Sequence, residues 1–158
     1  MPQEYEWRRK FIEIVEEVFR DLHFDPPPMT HDTEASLVME LEVDGITFEV
    51  VHNPRANVRY CLVEARLGPV TGDQPDAALR SLLTQNLGLA RERRGIFAAD
   101  IKDDTVLYNF PVPLESTRGS NLLQILRDMA VLACDWRISL AGADVPAAGT
   151  NGISSALA

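Results

Sequence analysis

The chain is short of the side chains that carry most enzyme chemistry. Its 158 residues include three histidines and two cysteines, so acid–base, nucleophilic or zinc mechanisms have few groups to draw on. His23, His31 and His52 stand at no spacing useful for a metal or a catalytic pair. The patterns H-E-x-x-H, C-x-x-C and G-x-S-x-G are missing, and so is a glycine loop that could cradle phosphate. One thiol arrangement is conceivable, because His52 ends the strand next to that of Cys61; yet Cys61 shares its face with core residues, which favours an inert buried thiol. Cys61 in YCLV and Cys134 in VLACDW both sit in apolar contexts. Buried free thiols in a reducing compartment are expected, rather than a disulfide. Asp100, Asp103 and Asp104 lack the ligand spacing and distal glutamate of a calcium loop and read as a solvated turn. No cofactor and no metal are expected.

Positive charge is also scarce. Lys and Arg number 15 against 24 Asp and Glu, a formal net charge of -9 with a pI near 4.7. Such a field repels phosphate backbones and anionic lipid, so nucleic acid and membrane are poor partners. The densest basic patch, Arg91, Arg93 and Arg94, also holds Glu92 and reads as a helix C-terminus, where cations complement the macrodipole. The opening MPQEYEWRRKF has neither the apolar core nor the cleavage site of a secretory signal, and no later run is long enough to span a membrane. A cytoplasmic location is expected.

What the sequence does hold is 46% hydrophobic residues, enough for one sizeable core in a single domain. From Trp7 to Leu22, the residues Trp7, Phe11, Ile14, Val15, Val18 and Leu22 recur at helical spacing, with Glu, Arg, Lys and Asp on the opposite face. Ile12 and Phe19 lie beside that stripe and widen it, which suggests a contact surface. Asp25-Pro-Pro-Pro28 ends any helix. Three period-two segments follow: Leu37 to Val43, Ile46 to Val51 across an Asp44-Gly45 hairpin turn, and about Arg59 to Leu67. They read as an antiparallel meander.

After a loop at Gly68, Pro69, Gly72 and Asp73, Pro75 suits the first turn of a second helix. Its stripe is Leu79, Leu82, Leu83, Asn86, Leu87 and Ala90, and Gly95 ends it. Ile96 to Ile101 and Thr105 to Val112 read as two strands around an Asp103-Asp104 turn. A last helix, from about Ser120 to Leu140 with Ser120 or Ser116 as N-cap, is apolar on more than one side and so should be the most buried. Residues 142–158 turn to Ala, Gly, Ser and Asn and read as a flexible tail beyond a domain of residues 1–141.

The predicted fold class is α+β, in the order α-β-β-β-α-β-β-α, a twisted antiparallel sheet flanked by helices. This order is similar to the class I effector chaperones of type III secretion, the family that includes the Tir chaperone. The local pieces that carry the resemblance are the opening amphipathic helix, the D-G hairpin between Val43 and Ile46, LRSLLTQNL in the central helix and the closing NLLQILRDMAVLACDW. The resemblance implies a homodimer built through the second helix and fourth strand: Leu79, Leu82, Leu83, Asn86, Leu87 and Ile96, Phe97, Ala98 and Ala99. Periodicity alone would equally give those leucines to the protomer's own core.

The resemblance further implies a client, the N-terminal segment of one or more secreted effectors. It would be held extended in apolar grooves and against a strand edge, and delivered to the secretion apparatus with its associated ATPase as a further partner. The expected lining is Ile12 and Phe19 with Leu37, Val38, Met39 and Leu41; Met39 suits a surface that repacks around varied ligands. Two other readings stay open. One is a regulatory or adaptor module of the same fold, and the other a small α+β hydrolase using His52 or a loop carboxylate.

Overall fold

A computed structural model describes residues 2–71, 73–92 and 94–140. The expectations for Gly72, for Arg93 and for the tail at 142–158 lie outside the described residues. The elements are α1 (Pro2–Asp21), β1 (Leu37–Val43), β2 (Ile46–His52), α2 (Pro54–Asn57), β3 (Tyr60–Pro69), α3 (Pro75–Arg91), β4 (Ile96–Asp100), β5 (Thr105–Pro113) and α4 (Gly119–Leu140). The five strands form one antiparallel sheet in the order β1-β2-β3-β5-β4.

The sheet has one covered face and one open face. Leu37, Met39, Leu41 and Val43 on β1, Ile46, Phe48 and Val50 on β2, and Cys61, Val63, Ala65 and Leu67 on β3 are all buried. Period two sends these side chains to one side of the pleat, where α4 lies across the strands and α1 packs beside it. The alternate residues face solvent, and α3 stands at the β4 edge. Asp44 and Gly45 join β1 to β2 with φ of 50° and 79°. This is the left-handed pair that a two-residue hairpin with right-twisted strands demands.

Several local expectations are corrected. The first helix begins at Pro2 rather than Trp7 and ends at Asp21, one residue before Leu22: His23 turns left-handed at φ 62°, and the Phe24 amide reaches back to the Phe19 carbonyl. Such a reversal satisfies carbonyls that the helix end leaves bare. The short α2 was not expected; Pro54 starts it and the Asn53 side chain caps it, accepting from the Arg55 amide at 3.1 Å. Ile101 belongs to the turn after β4 and is 94% exposed. Cys134 is exposed, on the side of α4 turned from the sheet, while Cys61 is buried as expected.

Neither Ser116 nor Ser120 caps α4. The Gly119 amide donates instead to the Glu17 carboxylate of α1 at 2.7 Å. A Cβ on Gly119 would collide with the Glu17 Cβ, so glycine lets the two helices meet. At the far end of α4, Arg137 donates to the carbonyls of Leu67, Gly45 and Arg66. Both ends of the most apolar helix are thereby tied down.

Candidate protein-binding site

The first connection is held by a charged side chain on the apolar side of α1, one turn before Phe11 and Ile12. Arg8 on α1 is 0% exposed. Its Nε donates to His52 Nδ1 at 3.0 Å, and its two terminal nitrogens donate to the carbonyls of Asp32 at 2.8 Å and Ala35 at 2.6 Å, with longer bonds to Thr30 and His52. A guanidinium presents its donors in a fixed fork, so one residue positions the segment leading into β1 against both α1 and the end of β2.

The same contacts decide the state of His52. Because Nδ1 accepts from Arg8, the ring proton sits on Nε2, which donates to the Val58 carbonyl at 2.9 Å. Burial and the neighbouring guanidinium push the imidazole below its ordinary value, and Phe11 stacks on the ring. The register that pairs Val51 with Leu62 does bring His52 beside Cys61. Both ring nitrogens are nevertheless engaged, and burial pushes the Cys61 thiol up to about 12. The dyad conceivable from the sequence is therefore a neutral structural histidine beside an inert thiol.

β1 is an edge strand. In a two-residue hairpin the residues flanking the turn, Val43 and Ile46, form a hydrogen-bonded pair, so Val38, Glu40 and Glu42 point their main-chain groups away from β2. These are the donors and acceptors that an added strand would meet. The expected client-contacting residues divide accordingly. Val38 is 50% exposed on the open face, whereas Leu37, Met39 and Leu41 are buried on the covered face. Ile12 is buried in the core, and Phe19 is half-buried against it.

The other edge is partly closed. The Asn86 side chain accepts from the Phe97 amide at 2.6 Å and donates to its carbonyl at 2.9 Å, so α3 occupies the outward bonding site of β4 there. Leu82 and Phe97 are buried in the protomer's core, with Phe97 against Tyr108 and Trp136. The buried residues of α3 are Leu82 and Leu89, and Leu89 was missing from the expected stripe. Leu79, Leu83 and Leu87 are exposed and recur every fourth residue, one row along α3. Ile96 and Ala99 on β4 are exposed too, and Ala98 is half-buried.

The open face is organised in rows across the strands. Register aligns Val38 with Val51, Leu62 and Pro111, an apolar row over four strands. One step along lies Glu40 with Glu49, Glu64 and Asn109. Partial burial, with Glu49 directly opposite, holds the Glu64 carboxyl above the usual range. Beside the apolar row, α2 and Tyr60 wall a groove of about 640 Å³ floored by Val51, Leu62 and Pro111.

Among the described residues, one-sided helical cover, a free strand edge and exposed apolar rows define a small α+β module with the fold of the type III secretion chaperones. The chain belongs to the Tir chaperone protein (CesT) family, whose profile matches residues 13–137. Three solved structures share the fold. A chain of the ExsC-ExsE complex is 16% identical with a TM-score of 0.67, covering 85% of this chain and 96% of that one. A chain of the HopA1-SchA chaperone-effector complex is 15% identical at 0.61, covering 83% and 95%. A chain of the ExoT-SpcS complex from Pseudomonas aeruginosa is 21% identical at 0.52, covering 80% and 95%. No relative among curated proteins matches.

Proposed function

We propose that this type III secretion chaperone binds the N-terminal segment of one or more effectors in the bacterial cytoplasm, keeps it extended and secretion-competent, and aids its delivery to the secretion apparatus and its ATPase. The observation that carries the reading is the β1 edge, unpaired among the described residues, with the outward main-chain groups of Val38, Glu40 and Glu42. An extended segment added there gains affinity from main-chain hydrogen bonds and specificity from side-chain contacts. Arg8 supports this role by fixing the segment that leads into β1. Binding proceeds by equilibrium contact, without hydrolysis.

The active unit in this reading is a homodimer. Leu79, Leu83 and Leu87 of α3, with Ile96 of β4, supply an exposed apolar row for a second copy; Leu82 and Phe97 back it from the core, and Asn86 keeps α3 on β4. For the client, Val38 is the open contact. Phe19, Ile12, Leu37, Met39 and Leu41 contribute from beneath if the surface opens on binding.

The test is purification from the native host with identification of bound proteins, alongside mass measurement by light scattering. A dimer holding an effector's N-terminal segment is the expected result. A monomer that retains no effector overturns the reading, and retention of a folded regulator would favour an adaptor role. Leu83→Asp combined with Leu87→Asp should yield a folded monomer.

A further inference from the structure

Resting on the effector-binding reading, we infer that the open face of the sheet receives a client segment whose apolar side chains lie along Val38, Val51, Leu62 and Pro111 and whose lysines or arginines lie over Glu40, Glu49 and Glu64. Three features of the face lead there. The apolar row runs unbroken across four strands, about 14 Å at ordinary strand spacing, and the groove beside α2 deepens it. Among the described residues no helix covers it apart from the single turn of α2.

The second feature is charge. Glu40, Glu49 and Glu64 stand directly opposite one another in adjacent strands, an arrangement that sheets ordinarily avoid because like charges repel there. Arg66 lies 3.7 Å from Glu49, but it is shared with Asp103 at 3.0 Å. The row therefore keeps a surplus of negative charge beside apolar surface, which a cationic side chain would neutralise.

The third is what the face disfavours. A second copy laid against it would set carboxylate row against carboxylate row, and a phosphate-bearing partner would meet the same repulsion. A peptide segment with apolar side chains and a basic margin satisfies both rows. Main-chain pairing at the β1 edge and side-chain contact on this face are compatible, because Val38 and Glu40 belong to both.

The experiment uses the full chain and a fluorescent twelve-residue peptide of alternating Leu and Lys, with a Leu/Glu peptide beside it. Anisotropy should show the Leu/Lys peptide binding and the Leu/Glu peptide failing. The double variants E49Q/E64Q and V51S/L62S should each weaken binding at least tenfold while circular dichroism stays unchanged. The variant E13Q/D21N, with the same charge change on α1, should bind as the parent does. Equal weakening by E13Q/D21N would mean that bulk charge alone attracts the peptide and would overturn the assignment, as would conversion of a dimer to monomer by V51S/L62S. Co-expression with an effector that the parent chain retains separates the two levels. If both surface variants keep that effector, this face is the wrong surface while the chaperone reading stands; if the parent keeps none, both fall.

Discussion

Leu62 and Val63 are neighbours on β3, yet they live in different surroundings. Val63 is fully enclosed between the sheet and the helices, and Leu62 floors an open groove. The same alternation runs through Phe48 and Glu49 and through Leu37 and Val38. Residues on the covered face are fixed by close packing, where lost volume leaves a cavity. Those on the open face are constrained only by their cross-strand neighbours, which leaves composition there free to serve a partner. Directly opposed glutamates are tolerable on the second face and would be ruinous on the first.

The contrast is open to direct attack. The largest effect is expected from Phe48→Ala, which should cost about 3–5 kcal/mol in urea unfolding, whereas Glu49→Ala beside it should shift stability by no more than about 0.5 kcal/mol. Comparable losses at the two positions would erase the distinction. Arg8→Ala comes next: it strands His52 Nδ1 and several carbonyls at once, for roughly 3 kcal/mol in the same assay. Arg8→Lys should recover little, since an ammonium cannot span the fork.

A smaller effect is tied to pH. His52 is held neutral in the folded chain with its pKa lowered, so the unfolded chain binds the proton more readily. Stability should be full above the free imidazole value near 6.5 and fall as pH drops below it toward the lowered folded value. A urea midpoint flat from pH 8 to pH 5 would show that Arg8 does not depend on neutral His52. The smallest effect is a gain. Glu64→Gln removes a repulsion and should stabilise the chain at pH 7 by a few tenths of a kcal/mol to about 1 kcal/mol. Because the Glu64 pKa is raised, its charge opposes folding only above the carboxylate range, so the gain should fade in acid. A loss at pH 7 would mean that the row is not in conflict.

The covered face was the more legible of the two. Period-two alternation from Leu37 to Val51 assigns each inward side chain, and Asp44-Gly45 sets the turn and hence the register. The stripe misplaced Ile12 as a contact surface, because the buried side of α1 is wider than one stripe and takes in Ile12. Spacing to Phe11, Ile12 and Val15 puts Arg8 on the buried side of α1, but its partners were not legible, since its four backbone acceptors and its histidine lie 22 to 44 residues away. On α3, spacing alone could not separate Leu82, which faces the core, from Leu83, which is 67% exposed. The rows of the open face were latent in the sequence, but reading them needs the register of strands that are not all consecutive.

Glu17 and Gly119 are 102 positions apart. A chain synthesised from its N-terminus therefore displays α1 long before α4 exists, and the first helix must wait for the residue whose amide it caps. During that interval the side of α1 that packs on α4, Ile14 among it, lacks its final partner. A ribosome-bound intermediate should expose this helix to passing proteases or holdases until α4 emerges, and truncation of α4 would prolong that exposure indefinitely.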